Sequence, residues 1–333
     1  MLSPASGSGK TSLVIECLVP ALQAVIQGTK LPEHVDSIEA KGIQSVKVID
    51  SKPIGANVRS TVATYDGVFD DLRKLFARTA DAKAKGLTAG DFSYNTGKLR
   101  CPVCDGTGII TMDVQFLPDV DTICPSCGGS RYGKDAYDIL WKSKEKDSVS
   151  VSLPGLLKLT VEEAAGILHE ETKIAKQLKI LQDLGVCYLT LGEATPALSG
   201  GEAQRLKLAY EMETPQQGSV FVFDEPTIGL HPQDVKKLVL IFDHLIQLGA
   251  TVIVIEHDLE LVTNCDYIID MGPWGGTEGG RVVVEGTPEA VAATSESITG
   301  RYLKQELAED KKCSGKFRKK SFAVKHIFRK YQK

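Results

Sequence analysis

The sequence predicts an α/β core that is interrupted by a mainly helical insertion carrying a four-cysteine module. Three observations predict this arrangement. A glycine-rich loop within residues 1–55 leads into an apolar helix and then an apolar strand. A strand–helix–strand pattern returns after Leu198. Between them, residues 56–195 show helical periodicity and two Cys-x-x-Cys pairs instead.

Helices are predicted where apolar residues recur every three or four positions, and buried strands where four or five apolar residues follow one another. In chain order, the predicted elements are a helix beginning near Lys10, a strand at 46–49, helices at 68–77, 161–168 and 174–184, strands at 219–223 and 251–255 flanking a helix at 232–248, and a hairpin within 267–284. The predicted domains are a first core segment 1–55, an inserted domain 56–195 with its cysteine module at 101–133, a second core segment 196–307, and a basic tail 308–333.

The composition is that of a globular protein with an unevenly distributed charge. The chain has 333 residues, is 42% apolar and carries a formal net charge of -4. Residues 311–333 hold ten Lys or Arg and no acid, so the rest of the chain is acidic. The tail beyond Leu307 has little apolar periodicity and is predicted to be disordered or marginally helical. No run approaches the roughly 20 apolar residues of a membrane helix, and no signal peptide is evident. We therefore expect a cytoplasmic protein.

A nucleotide-binding loop is predicted at the N-terminus. Its Gly-Lys-Thr sequence suits backbone N–H groups that surround phosphates, a lysine for the β and γ oxygens, and a hydroxyl for Mg²⁺. The candidate residues are Ser6, Gly7, Ser8, Gly9, Lys10, Thr11 and Ser12. Pro4 stands where the first glycine of the motif is expected, and it fixes φ and removes one N–H group.

Two later strands end in residues that suit phosphate chemistry. The strand at 219–223 is followed by Asp224, a candidate Mg²⁺ residue, and by Glu225, a candidate for polarising the attacking water. The strand at 251–255 is followed one residue later by His257, a candidate γ-phosphate contact. The sequence therefore predicts a nucleotide site that uses Mg²⁺, with Glu225 and His257 as its catalytic residues.

Four cysteines have the spacing of a structural zinc site. Each Cys-x-x-Cys turn supplies two thiolates, and the glycines after it permit a tight reversal of the chain. Two such knuckles complete a tetrahedral Cys₄ site, which is a better fit than a redox pair. The predicted ligands are Cys101, Cys104, Cys124 and Cys127.

The motifs together resemble the ABC-type ATPases. Leu198–Glu202 (LSGGE) is similar to their signature, Gly229–His231 to their D-loop and His257 to their switch histidine. In that class ATP is hydrolysed between two heads. The resemblance therefore implies that Ser199 and the Gly200 and Gly201 amides cap a γ-phosphate held by a second ATPase head, supplied by a second copy or by another half.

A zinc module between the nucleotide loop and the signature resembles the UvrA family of DNA repair ATPases, and more narrowly its C-terminal half. The runs that carry this resemblance are Pro53–Gly55, Arg59–Ser60, Ala63–Tyr65, Gly67–Asp71, Phe92–Asn95, Phe116–Val120, Thr160–Ala164, Leu198–Arg205 and Ile255–His257. The resemblance implies binding of double-stranded DNA, damage recognition coupled to ATP, and loading of a UvrB-like helicase subunit. It does not imply that this chain cuts DNA. Several basic residues lie in or near the insertion: Arg59, Lys98, Arg100, Arg131 and Lys134. Each of them is either a phosphate contact or an ordinary solvated side chain.

Departures from the family pattern keep two alternatives open. Ser51 stands at the position of the family's Q-loop glutamine, and the strand that normally precedes the nucleotide loop is expected to be missing. The alternatives are a truncated, ATPase-defective remnant that binds zinc and DNA, and a UvrA-like drug-resistance paralogue. A transporter subunit is disfavoured by the length of the insertion, and a chromosome-structural ATPase by the absence of heptad repeats.

Overall fold

The computed structural model describes residues 8–55, 57–112, 120–144, 149–212, 216–228, 230, 232–272, 274 and 279–313, with backbone alone at 232–234 and 309–313. The chain divides into two compact units. The first unit comprises Met1–Ser51 and Thr214–Lys333, and the second comprises Lys52–Glu213.

The elements alternate between strands and helices in the first unit, whereas helices dominate the second. The strands are β1 (Ser45–Ile49), β2 (Ile109–Met112), β3 (Val120–Ile123), β4 (Leu140–Lys142), β5 (Ser150–Ser152), β6 (Ser219–Asp224), β7 (Thr251–Ile255), β8 (Ile268–Gly272) and β9 (Arg281–Gly286). The helices are α1 (Val19–Gln27), α2 (Val62–Tyr65), α3 (Val68–Ala77), α4 (Ala80–Ala84), α5 (Leu153–Leu157), α6 (Val161–Ile167), α7 (Thr172–Asp183), α8 (Gly200–Met212), α9 (Pro232–Gln247), α10 (Leu259–Thr263), α11 (Pro288–Ala293) and α12 (Ile298–Cys313). A π-helix, Ser12–Leu18, leads directly into α1.

The first unit is built on a parallel sheet with the strand order β1-β6-β7. The central strand β6 is buried from Ser219 to Phe223, as expected of a parallel strand that is covered on both faces. Val14, Leu18 and Leu22 of the N-terminal helix pack with β6 residues in the core. Because the three strands run in the same direction, the residues that follow β6 and β7 emerge at one edge of the sheet.

A second, antiparallel pair, β8 and β9, completes the first unit together with α10, α11 and α12. Asp270 of β8 is buried and accepts hydrogen bonds from the hydroxyls of Ser297 (2.5 Å) and Thr299 (2.9 Å) at the start of α12. The helix α12 continues to Cys313, so it includes the first residues of the segment for which the sequence left disorder or marginal helicity open. Residues 314–333 lie outside the described part of the chain.

The second unit is a helical layer to which short hairpins are attached. The helix α3 has the bounds that the apolar spacing predicts, and it is tied to α7 by Asp71, whose carboxylate contacts Lys173 at 2.7 Å and Lys74 at 3.3 Å. Thr61 and Thr160 begin α2 and α6 with reciprocal capping hydrogen bonds. Short helices are therefore stabilised at their N-termini by their own sequence.

The division into units differs from the predicted domain boundaries at 55/56 and 195/196. The signature segment lies in the second unit because α8 packs against α2 and α7 of that unit. Apolar spacing alone does not reveal this, since the buried residues of α8 are distributed around the helix and form no single apolar face. Among the described residues, no helix is both long enough and apolar enough to span a bilayer.

Candidate functional site

The described end of the N-terminal loop, Ser8 and Gly9, leads directly into the first helix. Gly9 has a φ of 89°, which favours glycine, and the helix begins at the next residue, Lys10. The Ser8 carbonyl accepts a 3.0 Å hydrogen bond from Gly280, and a Cβ on Gly9 would lie 3.5 Å from the Gly280 Cα. The predicted residues Ser6 and Gly7, and also Pro4, lie outside the described residues; Thr11 and Ser12 are exposed.

Lys10 is buried among acidic groups of the same unit. Only 8% of the residue is exposed, and its Nζ lies 3.4 Å from Ser8 Oγ. Burial lowers the pKa of Lys10, whereas the nearby charges of Glu225, Asp270 and Asp224 act to raise it. The lysine therefore lies within electrostatic reach of the carboxylates at the end of β6.

Asp224 and Glu225 lie at the end of β6. Asp224 is the last residue of the strand and is half-buried. Glu225 has a φ of 47°, which is uncommon outside glycine, and its N–H group donates to the Ile255 carbonyl at 2.9 Å. The bond to β7 holds this backbone in place and turns the Glu225 side chain, 44% exposed, toward the strand end.

The end of β7 brings two further ionisable residues to Glu225. Glu256 is fully buried, and its carboxylate accepts hydrogen bonds from the backbone N–H groups of Thr227 (3.0 Å) and His257 (2.7 Å). The His257 Nδ1 lies 3.3 Å from Glu256 Oε2 and 3.9 Å from Glu225 Oε1. The structure thus brings together three of the predicted residues, Asp224, Glu225 and His257, with one that was not predicted, Glu256.

The signature loop belongs to the second unit and forms the N-terminus of α8. Ser199 Oγ accepts the Glu202 N–H at 3.4 Å, and Glu202 accepts the Ser199 N–H at 2.7 Å, which makes a capping box. Gly200 and Gly201, both predicted site residues, are the first residues of α8. Burial acts to raise the pKa of Glu202, but hydrogen bonds from Tyr188 and Ser199 outweigh it and the pKa is lowered. The helix N-terminus suits an anion.

The four cysteines form one compact thiol cluster. All four Sγ atoms lie within 4.8 Å of one another, with Cys101 and Cys124 4.0 Å apart and Cys104 and Cys127 3.7 Å apart. A tetrahedral site with Zn–S bonds of about 2.3 Å has S···S edges of about 3.8 Å. The four thiols therefore fit a zinc ion in number, type and spacing.

Close backbone packing supports the first cysteine knuckle. In the first knuckle, Gly108 donates its N–H to Cys104 Sγ at 3.3 Å, and Gly106 has a φ of 80°. A Cβ on Gly106 would lie 1.7 Å from the Tyr94 carbonyl oxygen. Burial opposes ionisation of Cys101, but backbone N–H groups of the first knuckle outweigh it and place its pKa at about 7.

The basic residues near this module are mostly engaged within the second unit. Arg59 and Arg100 both contact the Asp105 carboxylate, at 3.4 Å and 3.0 Å, and Lys98 lies 3.5 Å from Asp91. Arg131 is 7% exposed and donates to the Val58 carbonyl at 2.9 Å. Of the two alternatives left open for Arg131, the solvated side chain does not describe it and a phosphate contact has little support, because its guanidinium packs inside the unit.

The residues that sequence reasoning missed are Glu256, Thr227 and Asp270. The sequence does contain a signal for Glu256, because it lies directly after an apolar strand and directly before a candidate histidine. A charged side chain is costly to bury at such a position unless it has partners. Asp270 carries no comparable signal, since its partners are 27 and 29 residues further along the chain.

Nearly the whole chain is similar in sequence to curated proteins. The chain is 44% identical to UvrABC system protein A of Staphylococcus aureus (strain COL) over 309 residues, which are 92% of this chain and 32% of that protein. It is 46% identical to UvrABC system protein A of Clostridium acetobutylicum over 307 residues, which are 91% of this chain and 32% of that protein. The chain therefore spans about a third of the length of these curated relatives. No family model matches the chain.

A solved structure agrees with these relatives. The crystal structure of UvrA2 from Deinococcus radiodurans matches with a TM-score of 0.80 and 40% identity, over 92% of this chain and 36% of that one. The match extends the similarity from sequence to the α/β fold. Over the part of those proteins that it spans, this chain is similar to UvrA in both sequence and fold.

Proposed function

We propose that the chain is a DNA repair ATPase of the UvrA type, which couples ATP binding and hydrolysis to recognition of damaged double-stranded DNA. The observation that carries this proposal is the convergence of Lys10, Asp224, Glu225 and His257 at one edge of the parallel sheet. A buried lysine amid carboxylates is a costly arrangement, and it suits a site that receives a nucleotide and its metal ion.

In the proposed site each residue has a separate role. Lys10 and the N–H groups at the start of its helix would hold the β- and γ-phosphates, and Thr11 and Asp224 would hold Mg²⁺. Glu225 would orient and deprotonate the attacking water, and His257 would contact the γ-phosphate. The in-line displacement moves the γ-phosphoryl group to that water, and ADP leaves.

Ser199, Gly200 and Gly201 are proposed to act on the nucleotide of a second ATPase head. Their position at the N-terminus of α8 supports this role, because free N–H groups there attract an anion. The second head would be another copy of this chain or a separate ATPase half. The capping box between Ser199 and Glu202 would open or be supplemented when a phosphate binds.

The thiol cluster is proposed to hold one Zn²⁺ through Cys101, Cys104, Cys124 and Cys127. With four protein ligands the ion would be structural, so it would stabilise the module and take no part in ATP hydrolysis. DNA and a UvrB-like helicase subunit are the proposed partners. Because thiolate ligands persist in a reducing compartment and the proposed partner is DNA, we propose a cytoplasmic location.

The deciding experiment measures Mg-ATP binding and turnover by the chain, with and without duplex DNA. The Lys10→Ala variant is expected to lose nucleotide affinity, whereas Glu225→Gln is expected to keep it and lose turnover by about 100-fold or more. Glu289→Gln, an exposed change on α11, is the matched control and should behave like the unmodified chain. Absence of saturable Mg-ATP binding by the unmodified chain would refute the ATPase proposal.

A second candidate is supported by Ser51, which stands where the family has a glutamine. On that account the chain is an ATPase-defective protein that retains zinc and DNA binding, or a drug-resistance paralogue. Saturable DNA binding that is insensitive to ATP, together with a Ser51→Gln variant that gains turnover, would favour this second candidate over the first.

A further inference from the structure

The Glu256 carboxylate is satisfied by four donors although the residue is fully buried. Its Oε1 accepts the N–H and the hydroxyl of Thr227, and its Oε2 accepts the N–H groups of His257 (2.7 Å) and Asp258 (3.4 Å). Burying a carboxylate costs free energy unless hydrogen-bond donors surround it, so Glu256 depends on these four donors to occupy its buried position.

These donors come from the ends of two different strands. Thr227 follows β6 by three residues and belongs to the turn that carries Glu225, whereas His257 and Asp258 follow β7. One carboxylate therefore bridges the turn that holds the candidate base and the segment that holds the candidate phosphate contact. Movement of the Thr227 turn would break the hydrogen bonds to Oε1, and movement of the His257 segment would break those to Oε2.

The carboxylate also determines which ring nitrogen of His257 carries a proton. The Nδ1 lies 3.3 Å from Glu256 Oε2 and 3.9 Å from Glu225 Oε1. A lone pair on Nδ1 would be repelled by both oxygen atoms, whereas an N–H group is attracted by them. The proton therefore resides on Nδ1, and Nε2 is the nitrogen left for a ligand.

We infer that Glu256 is a positioning residue, which orients His257, fixes its proton on Nδ1 and holds the turn that carries Glu225. The inference rests on the proposed ATPase function only for its kinetic consequence. The geometry of the His257 ring is a property of the protein alone. Glu256 itself is not expected to contact the nucleotide, because it is fully buried.

The first test is NMR spectroscopy of the full chain labelled with ¹⁵N-histidine. The chain has six histidines, and His257→Asn identifies the signals of interest. We expect the unmodified chain to show a proton on Nδ1 of His257, and Glu256→Gln to move proton population to Nε2. The matched control is Glu260→Gln on α10, which should leave the spectrum unchanged. A proton found only on Nε2 in the unmodified chain, or an unchanged His257 in Glu256→Gln, would overturn the inference.

A milder pair of variants decides the matter if Glu256→Gln does not fold. Thr227→Val removes one hydroxyl donor while keeping the shape of the side chain, and Thr227→Ser keeps the donor. We expect the His257 ring signals to shift in the valine variant and to stay in place in the serine variant. Equal spectra for the two variants would contradict the bridge between the strand ends.

The kinetic test separates positioning from nucleotide binding. In Glu256→Gln we expect kcat for ATP to fall by about 10- to 100-fold, with the dissociation constant of Mg-ATP changed by less than about threefold. A loss of affinity at unchanged kcat would contradict a positioning role. If the unmodified chain does not hydrolyse ATP, the proposed function fails, and the NMR result still decides the inference.

Discussion

The buried carboxylate of Asp270 should contribute measurably to the stability of the first unit. Asp270 is 4% exposed, and both of its oxygen atoms accept hydroxyl groups, from Ser297 at 2.5 Å and from Thr299 at 2.9 Å. Asp270→Asn replaces one charged acceptor by an amide donor. The Ser297 oxygen already accepts the Gly300 N–H at 2.7 Å, so it is poorly placed to accept a second donor.

The expected loss follows from these contacts. One charge-assisted hydrogen bond contributes about 1.5–3 kcal/mol, so the free energy of unfolding should fall by about 2 kcal/mol. With a urea slope of about 2 kcal/mol per molar, the midpoint should move by about 1 M. Pulsed hydrogen exchange with mass spectrometry, read on peptides from β8 and α12, assigns the change to this unit.

A double-mutant cycle tests the reasoning. Ser297→Ala should cost less in the Asp270→Asn background than in the unmodified chain, because the two side chains share one interaction. A stability change below about 0.5 kcal/mol for Asp270→Asn, or equal costs of Ser297→Ala in both backgrounds, would refute the assigned role of the carboxylate.

Three further predictions concern the second unit. In thermal unfolding, Gly106→Ala should destabilise the cysteine module by about 3 kcal/mol or more, because the new Cβ would overlap a carbonyl oxygen. Gly128→Ala should cost only about 1–2 kcal/mol, because Gly128 has a φ of 57° but open space around the position of a Cβ. Elemental analysis should find one zinc per chain, which Cys124→Ser should lose and Cys187→Ser should retain; zinc in neither protein, or in both, would contradict the assigned ligands. Burial acts to raise the pKa of Asp71, but hydrogen bonds from two lysines outweigh it and hold the pKa below its ordinary value of 3.8. The contribution of Asp71 to the free energy of unfolding is therefore complete above pH 3.8 and is lost as the pH falls through the lowered pKa. Acid unfolding of Asp71→Asn should therefore lack this component, and an unchanged acid profile would argue against the ion pairs.

Much of the core was predictable because local sequence and tertiary packing agree. The strand β6 is a run of apolar residues that ends in two carboxylates, and the structure buries it between two parallel neighbours. The four cysteines have a spacing that few other arrangements satisfy, and their sulfur atoms do converge. In both cases the residues that define the feature are close together in the chain.

The features that were missed depend on contacts that no local pattern encodes. Arg131 is basic and follows a cysteine knuckle, yet its guanidinium lies 5.2 Å from the centre of the Tyr94 ring inside the unit. The boundary of the second unit depends on the packing of α8, whose amphipathic pattern is weak. The environment of a charged side chain is the hardest to predict from sequence, since the same residue type occurs in solvent, in ion pairs and in buried hydrogen-bond networks.

The pairing of β1 with β6 has a consequence for biosynthesis. Ser45 and Ser219 are 174 residues apart in the chain, and their side-chain oxygens lie 2.9 Å from each other. At about 5–20 residues per second, a ribosome needs on the order of 10–30 s to supply the partner of β1. During that time the apolar side chains of β1 lack their sheet partner, and Lys47 is the only charged residue within the strand. The second unit is one continuous stretch and is complete first, so variants that delay its folding are expected to lower the yield of the first unit as well.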